Sequence, residues 1–182
     1  MPRLLPNLVI TGTPGVGKTT HCSAIAEATG LTHLDVNKVV KERDCSDGYD
    51  EELETTIVDE DKLLDAIDSD LRKGGQIVDW HACDLFPASL VDLVVVVRCK
   101  TENLFDRLVK RGYSDKKREE NMDAEIMEVI LTEARESYDE AMVVELWSDE
   151  VDAIDDNVER IEQWIEQWKK DHPNGADQED DE

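Results

Sequence analysis

A chain of 182 residues with 40% hydrophobic content is long and apolar enough for one domain with a full core. Its 45 Asp and Glu against 20 Lys and Arg leave a formal charge of −25, which argues against sequence-specific nucleic-acid binding and fits a solvated surface or a very basic partner. Pro2, Arg3, Pro6 and Asn7 interrupt the start and no apolar run approaches the ~18–20 residues of a membrane span, so a soluble intracellular protein is expected.

In chain order, residues 8–10 form a short apolar run that reads as a buried strand. Gly12-Thr13-Pro14-Gly15-Val16-Gly17-Lys18-Thr19 follows, then helix-forming residues 20–29 with Gly30 as a stop. A second strand fits 32–35. The segment 41–60 is highly charged, contains Asp47-Gly48-Tyr49-Asp50, and does not fit a simple crossover. Helix 61–73 ends at Gly74-Gly75, and strands follow at 75–79 and 91–97. Helix 101–111 ends at Gly112 and runs into Arg111-Gly112-Tyr113-Ser114-Asp115-Lys116-Lys117-Arg118, a dense basic cluster in an acidic chain that points to a polyanionic phosphate. Arg107 lies one turn before Arg111, so the two can share a helix face. A single helix is expected over 121–140 and a fifth strand over 142–147. The last helix, 156–170, has Asp155 or Asp156 as its cap and ends before His172-Pro173. Trp164 and Trp168, spaced i and i+4, are expected to pack it onto the sheet. The polar, acidic segment 174–182 is expected to be disordered.

Near-continuous Val, Leu and Ile in the strands indicate burial on both faces. The alternation of strands and helices then predicts an α/β fold: a five-stranded parallel sheet with helices on both faces and ligands at the strand C-termini. Cys22, Cys45, Cys83 and Cys99 show no paired spacing, so neither zinc nor a disulfide framework is expected.

The glycine-rich octet matches the P-loop pattern GxxxxGK[ST]. Its backbone N–H groups and the following helix N-terminus suit phosphate oxygens. Gly15, Gly17, Lys18, Thr19 and Thr20 are therefore expected to hold the phosphates of ATP, with the Thr19 hydroxyl on Mg²⁺. Asp79 ends an apolar strand, as a Walker-B acid does, and is the second candidate for the metal, directly or through water. His81, two residues on, shares its face on an extended backbone. His21, His33 and His172 read as ordinary surface or packing residues. A small GTPase is excluded, because Asn37-Lys38-Val39-Val40 lacks the Asp of a guanine reader and Asp79-Trp80-His81-Ala82 lacks the Gly of a switch. A small P-loop kinase remains, with an acceptor-binding insertion after the second strand and a basic lid.

Residues 11–20, Asp47-Gly48-Tyr49-Asp50, Val78-Asp79-Trp80-His81, Arg111-Gly112-Tyr113 and Trp164-Ile165-Glu166-Gln167-Trp168 together resemble the adenylate kinase isoenzyme 6 family over residues 4–172. The resemblance implies a P-loop kinase domain over 1–173, with a nucleoside-monophosphate-binding segment near 35–58 and a short lid near 110–120. It implies phosphoryl transfer between ATP and AMP together with ATP hydrolysis. Lys18, Asp79, His81 and Arg111 would be catalytic, Arg111 contacting ATP from the lid and His81 orienting the attacking water. Asp35, Lys41 and Tyr49 would meet AMP. It further implies a late role in 40S maturation and 20S pre-rRNA processing, binding of the ribosomal protein uS11 on the pre-40S particle, and residence in nucleus and cytoplasm. The alternative is a nucleotide-dependent chaperone or scaffold for a ribosomal protein, with kinase activity incidental. Two departures weaken the acceptor side. Lys41 stands where related kinases often present Arg, and Lys cannot make the bidentate phosphate contact. The loop over residues 80–90 contains no Arg.

Overall fold

The computed structural model describes residues 1–178. A five-stranded sheet forms its centre, in the order β2-β5-β1-β6-β7. The strands are β1 (Leu8–Thr11), β2 (Thr32–Asp35), β5 (Gln76–Asp79), β6 (Leu93–Arg98) and β7 (Val143–Trp147). All neighbours pair in parallel. The helices are α1 (Lys18–Thr29), α2 (Val36–Glu42), α3 (Glu60–Lys73), α4 (Thr101–Lys110), α5 (Asp115–Ile126), α6 (Val129–Ser137) and α7 (Val151–Asp171). A separate antiparallel hairpin, β3 (Ser46–Asp50) and β4 (Thr55–Val58), stands apart from the sheet.

Alternate residues along each strand serve opposite faces. Val9, Val78, Val94 and Val96 join Leu63, Ile67 and Leu131 in one core layer. Leu8, Ile10, Ile77, Val95 and Val97 join Ile25, Leu104, Leu108, Ile161 and Ile165 in the other. Both faces are covered, as the continuous aliphatic runs require. The strand order reverses direction at β1, which places the crevice at its C-terminal end.

The parallel sheet and its five strands agree with the sequence reading; several details do not. The segment expected only as a charged insertion folds as the β3–β4 hairpin, with Tyr49 opposite Thr56 and Asp50 opposite Thr55. The helix expected over 121–140 is two, α5 and α6, broken at Glu128, whose φ of 54° no continuous helix can hold. Helix α5 starts earlier than expected because the Ser114 side chain accepts from the Lys117 N–H as an N-cap. Helix α7 starts at Val151 without any side-chain cap, so neither Asp155 nor Asp156 caps it; Asp152 in its first turn complements the positive helix end instead.

The N- and C-terminal segments hold each other. Arg3 and Ala176 exchange backbone hydrogen bonds of 2.9 Å in both directions, and Gln178 donates to the Arg72 carbonyl. Disorder is therefore wrong for residues 174–178; the rest of the expected tail, 179–182, lies outside the described residues. Trp168 is buried and stacks on His172 at 4.4 Å, and Trp164 packs at the edge of the α7 layer, as the i, i+4 spacing implies.

Candidate functional site: a P-loop cleft

The loop between β1 and α1 is shaped by glycines at positive φ. A Cβ on Gly12, at φ 149°, would meet the Val97 carbonyl oxygen at 2.5 Å, so only glycine lets the loop turn against β6. A Cβ on Gly15, at φ 97°, would meet the Leu108 side chain of α4 at 2.9 Å. Lys18 opens α1 and turns its Nζ back onto the loop, donating to the Gly12 carbonyl at 2.9 Å and the Thr13 carbonyl at 3.3 Å. Burial lowers its pKa to about 8; Asp79 opposes the shift and Arg111 adds to it.

Asp79 ends β5 next to β1, and its Oδ2 accepts from the Thr19 hydroxyl at 2.9 Å. Two hard oxygen donors from a P-loop threonine and a strand-end carboxylate fit Mg²⁺. The same Oδ2 lies 2.9 Å from His33 Nε2. His33 is thus a partner of Asp79 rather than an ordinary surface residue. Only the order of strands brings β2 beside β5, so nothing in the local sequence signals the contact.

Three further contacts hold the loop. Arg107 donates to the Val16 carbonyl at 3.1 Å and the Ser148 carbonyl at 2.7 Å. Its guanidinium clamps the P-loop, and it borders a hollow beside the loop together with Arg111. His21 is buried; its Nδ1 donates to the Gly17 carbonyl at 2.8 Å, leaving Nε2 to accept from Asn157 of α7 at 3.2 Å. Burial lowers the pKa of His21 and keeps it in this neutral form. The Thr13 hydroxyl donates to Glu125 of α5 at 2.7 Å, and Glu125 is paired with Arg98 at the end of β6. Both charges are buried. None of these clamps has a sequence signature, because each depends on a residue distant in the chain: Arg107 on Val16, His21 on Asn157 and Thr13 on Glu125.

A cleft of about 580 Å³ runs from the P-loop to the hairpin. One end is lined by Gly15, Lys18, Thr19, Asp79, His81 and Arg111, and the other by Lys41, Tyr49, Thr55 and Thr56. Thr20 lies outside it, in an adjoining hollow of about 310 Å³ that also touches Gly17, Arg107 and Arg111. Gly15 and Arg111 border both spaces. Asp35 is not among the cleft walls: its carboxylate accepts from the Asn37 N–H at 3.0 Å and caps α2.

The basic cluster divides its work. Arg111 and Lys117 line the cleft. Lys117 also donates to the Glu54 carbonyl at 2.8 Å, and Lys116 pairs with Glu52, so the start of α5 touches the β3–β4 turn across the cleft. Arg118 pairs with Asp115 and covers Phe105, and it is not among the cleft walls. Arg43, the nearest arginine to Lys41 in sequence, is tied to Asp70 and the Ala66 carbonyl. His81 stands beside Trp80, rings 4.9 Å apart. Burial pushes its pKa down to about 4, with Lys18 and Lys117 adding to the shift, so it is a neutral imidazole at pH 7. It can accept a hydrogen bond from water, and at neutral pH it carries no imidazolium proton to give. The Trp80 indole N–H is buried with no partner among the described residues. Trp80 and Phe86 pack edge to face at 6.3 Å, and Tyr138 closes the loop by donating to the Cys83 and Phe86 carbonyls.

Residues 8–128 match the AAA domain family. The chain is 51% identical to the adenylate kinase isoenzyme 6 homolog of Candida albicans over 97% of its own length and 75% of that protein's. It is 50% identical to the homolog of Schizosaccharomyces pombe, covering 93% of this chain and 97% of that one. The chain belongs to the adenylate kinase isoenzyme 6 family. Among solved structures, shikimate kinase from Acinetobacter baumannii in complex with shikimate superposes with a TM-score of 0.63 at 16% identity, covering 91% and 95% of the two chains. Shikimate kinase from Bacteroides thetaiotaomicron gives 0.56 at 17% identity, covering 89% and 99%. These two likenesses show the fold, that of small P-loop kinases, and this isoenzyme 6 family member is accordingly a nucleotide kinase-like protein.

Proposed function

We propose that this protein is an adenylate kinase that also hydrolyses ATP, and that it serves late 40S maturation and 20S pre-rRNA processing by binding uS11 on the pre-40S particle, in nucleus and cytoplasm. The observation that carries the enzyme reading is the single cleft with a P-loop, Asp79 and His81 at one end and Lys41 and Tyr49 at the other. It has room for a phosphate donor and an acceptor on one path.

Phosphoryl transfer is mostly positioning and charge stabilisation. Lys18 and Arg111 supply cations at the donor end, and the backbone N–H groups of the loop surround the phosphates. Thr19 and Asp79 would hold Mg²⁺, which when bound neutralises phosphate charge. Neutral His81 orients a water for hydrolysis through its free ring nitrogen. At the acceptor end Lys41 and Lys117 are the available cations, with no arginine beside them among the described residues. A weakly held acceptor favours water as its competitor, which supports hydrolysis beside transfer.

The test is ADP formation from ATP and Mg²⁺, with and without AMP, and again with uS11 added. A rate that rises with AMP supports the kinase. A rate indifferent to AMP but altered by uS11 supports instead a nucleotide-dependent chaperone of a ribosomal protein, a reading that the −25 charge favours on its own account.

A further inference from the structure

Asp79 faces two chemistries. On one side its Oδ2 takes the Thr19 hydroxyl; on the other it meets His33 Nε2 at 2.9 Å. Cys22, one turn beyond Thr19 on α1, completes a second group: the ligand atoms of Cys22, His33 and Asp79 all lie within 4.8 Å of one another. The three come from α1, β2 and β5, so only the packing of the helix on the parallel β2–β5 pair assembles them. Cys22 and Asp79 are buried, and the His33 side chain, 21% exposed, reaches the surface.

A sulfur, an imidazole nitrogen and a carboxylate oxygen are the donors Zn²⁺ prefers, and three protein ligands with one position left to water is a common zinc arrangement. Mg²⁺ asks for oxygen and octahedral geometry and gains nothing from sulfur or nitrogen. With bonds of about 2.0–2.3 Å, tetrahedral donors stand roughly 3.5 Å apart. His33 and Asp79, 2.9 Å apart, need to separate by a fraction of an ångström, and Cys22, within 4.8 Å of both, to close by at most about 1.3 Å. We propose that Cys22, His33 and Asp79 form a zinc site beside the P-loop, and that zinc held there withdraws Asp79 from magnesium. The proton balance is simple. The Cys22 thiol loses its proton to solvent, and His33 presents Nε2 to the ion with its ring proton on Nδ1. Thiolate and carboxylate then offset the two charges of the ion, which suits a buried place.

Zinc binding does not depend on the kinase reading; the competition with magnesium does, and the two are tested apart. Without nucleotide, the full chain is titrated with Zn²⁺ by calorimetry and with Co²⁺ by absorption. The expected results are one ion per chain at about micromolar affinity or tighter and a thiolate-to-cobalt charge-transfer band. Cys22→Ala should abolish the band, and Cys22→Ala and His33→Gln should each weaken zinc at least about tenfold, as ligand loss does. No cobalt band in the native chain, or unchanged zinc affinity in His33→Gln, overturns the site; neither result needs Cys22→Ala to fold. In the second arm, Zn²⁺ is added to ATP turnover at fixed Mg²⁺. Cys22→Ala should turn over like the native chain on Mg²⁺ alone and tolerate at least about tenfold more Zn²⁺. Equal inhibition of both overturns the competition, even where the ion binds.

Discussion

Lys18 is held in conflict. Burial lowers its pKa to about 8, against the attraction of Asp79, so part of its charge is lost at mildly alkaline pH. Phosphate oxygens would restore that charge. Binding of ATP at pH 8 should therefore take up close to half a proton, and affinity should fall as pH rises above 8, since the free lysine must then be protonated on binding. Calorimetry in buffers of different ionisation enthalpy reads this uptake directly; its absence would mean that Lys18 is fully charged beforehand. Lys18→Ala should abolish both transfer and hydrolysis, and undiminished turnover would remove the P-loop from the chemistry. Asp79→Ala and His81→Ala should each reduce hydrolysis by at least about tenfold, while ATP affinity stays within a few-fold. Because His81 has its pKa near 4, the hydrolysis profile should show no limb near 6.5 assignable to it. A limb there that His81→Ala removes would place the imidazole in a wetter site.

At the level of elements, α5 is tied to the P-loop through one buried pair. Glu125 of α5 accepts from Thr13 and is paired with Arg98, which also reaches Glu145 at 3.2 Å. Glu125→Leu leaves a buried guanidinium under-compensated and should cost about 3 kcal/mol, the lower side for breaking such a pair. Arg98→Leu with Glu125→Leu should recover most of it, since two apolar residues leave no orphaned charge. Urea unfolding of both variants measures the difference; equal losses would show that the single variant suffers from packing alone. Such couplings also explain what the sequence could and could not tell. The P-loop, the sheet strands and the α7 packing face were legible because each is written in adjacent residues with a fixed period or motif. The β3–β4 hairpin was not, since Ser46, Asp47, Gly48 and Tyr49 are exposed and carry no core pattern. The break between α5 and α6 falls at Met127 and Glu128, with neither Gly nor Pro to mark it. Arg107, His21, His33 and Glu125 act on the site through partners far along the chain, which no local pattern encodes.

For the molecule as a whole, the placement of its cations matters as much as its net charge of −25. Lys18, Arg111 and Lys117 turn towards the cleft and Arg107 onto the P-loop, while Arg3 and Arg98 are buried in ion pairs. The outer surface is thus left more uniformly acidic than composition alone indicates. Such a surface repels RNA and draws a basic protein, so association with uS11, if the proposed partnership holds, should be steered by charge and weaken steeply with salt. The screening length shrinks from about 10 Å at 0.1 M to about 3 Å at 1 M, and most of the loss should appear in the association rate. RNA that binds the same basic surface of uS11 should compete with this protein. The described end of the chain is pinned at Ala176 to Arg3, so a chain stopped at Gln178 keeps the fold closed and should bind nearly as well as the full one. Association kinetics at low and high salt, with both chains, decide the matter. Salt-independent binding would indicate an apolar interface and make the acidity incidental, and loss of binding on shortening would move the main contact to residues 179–182.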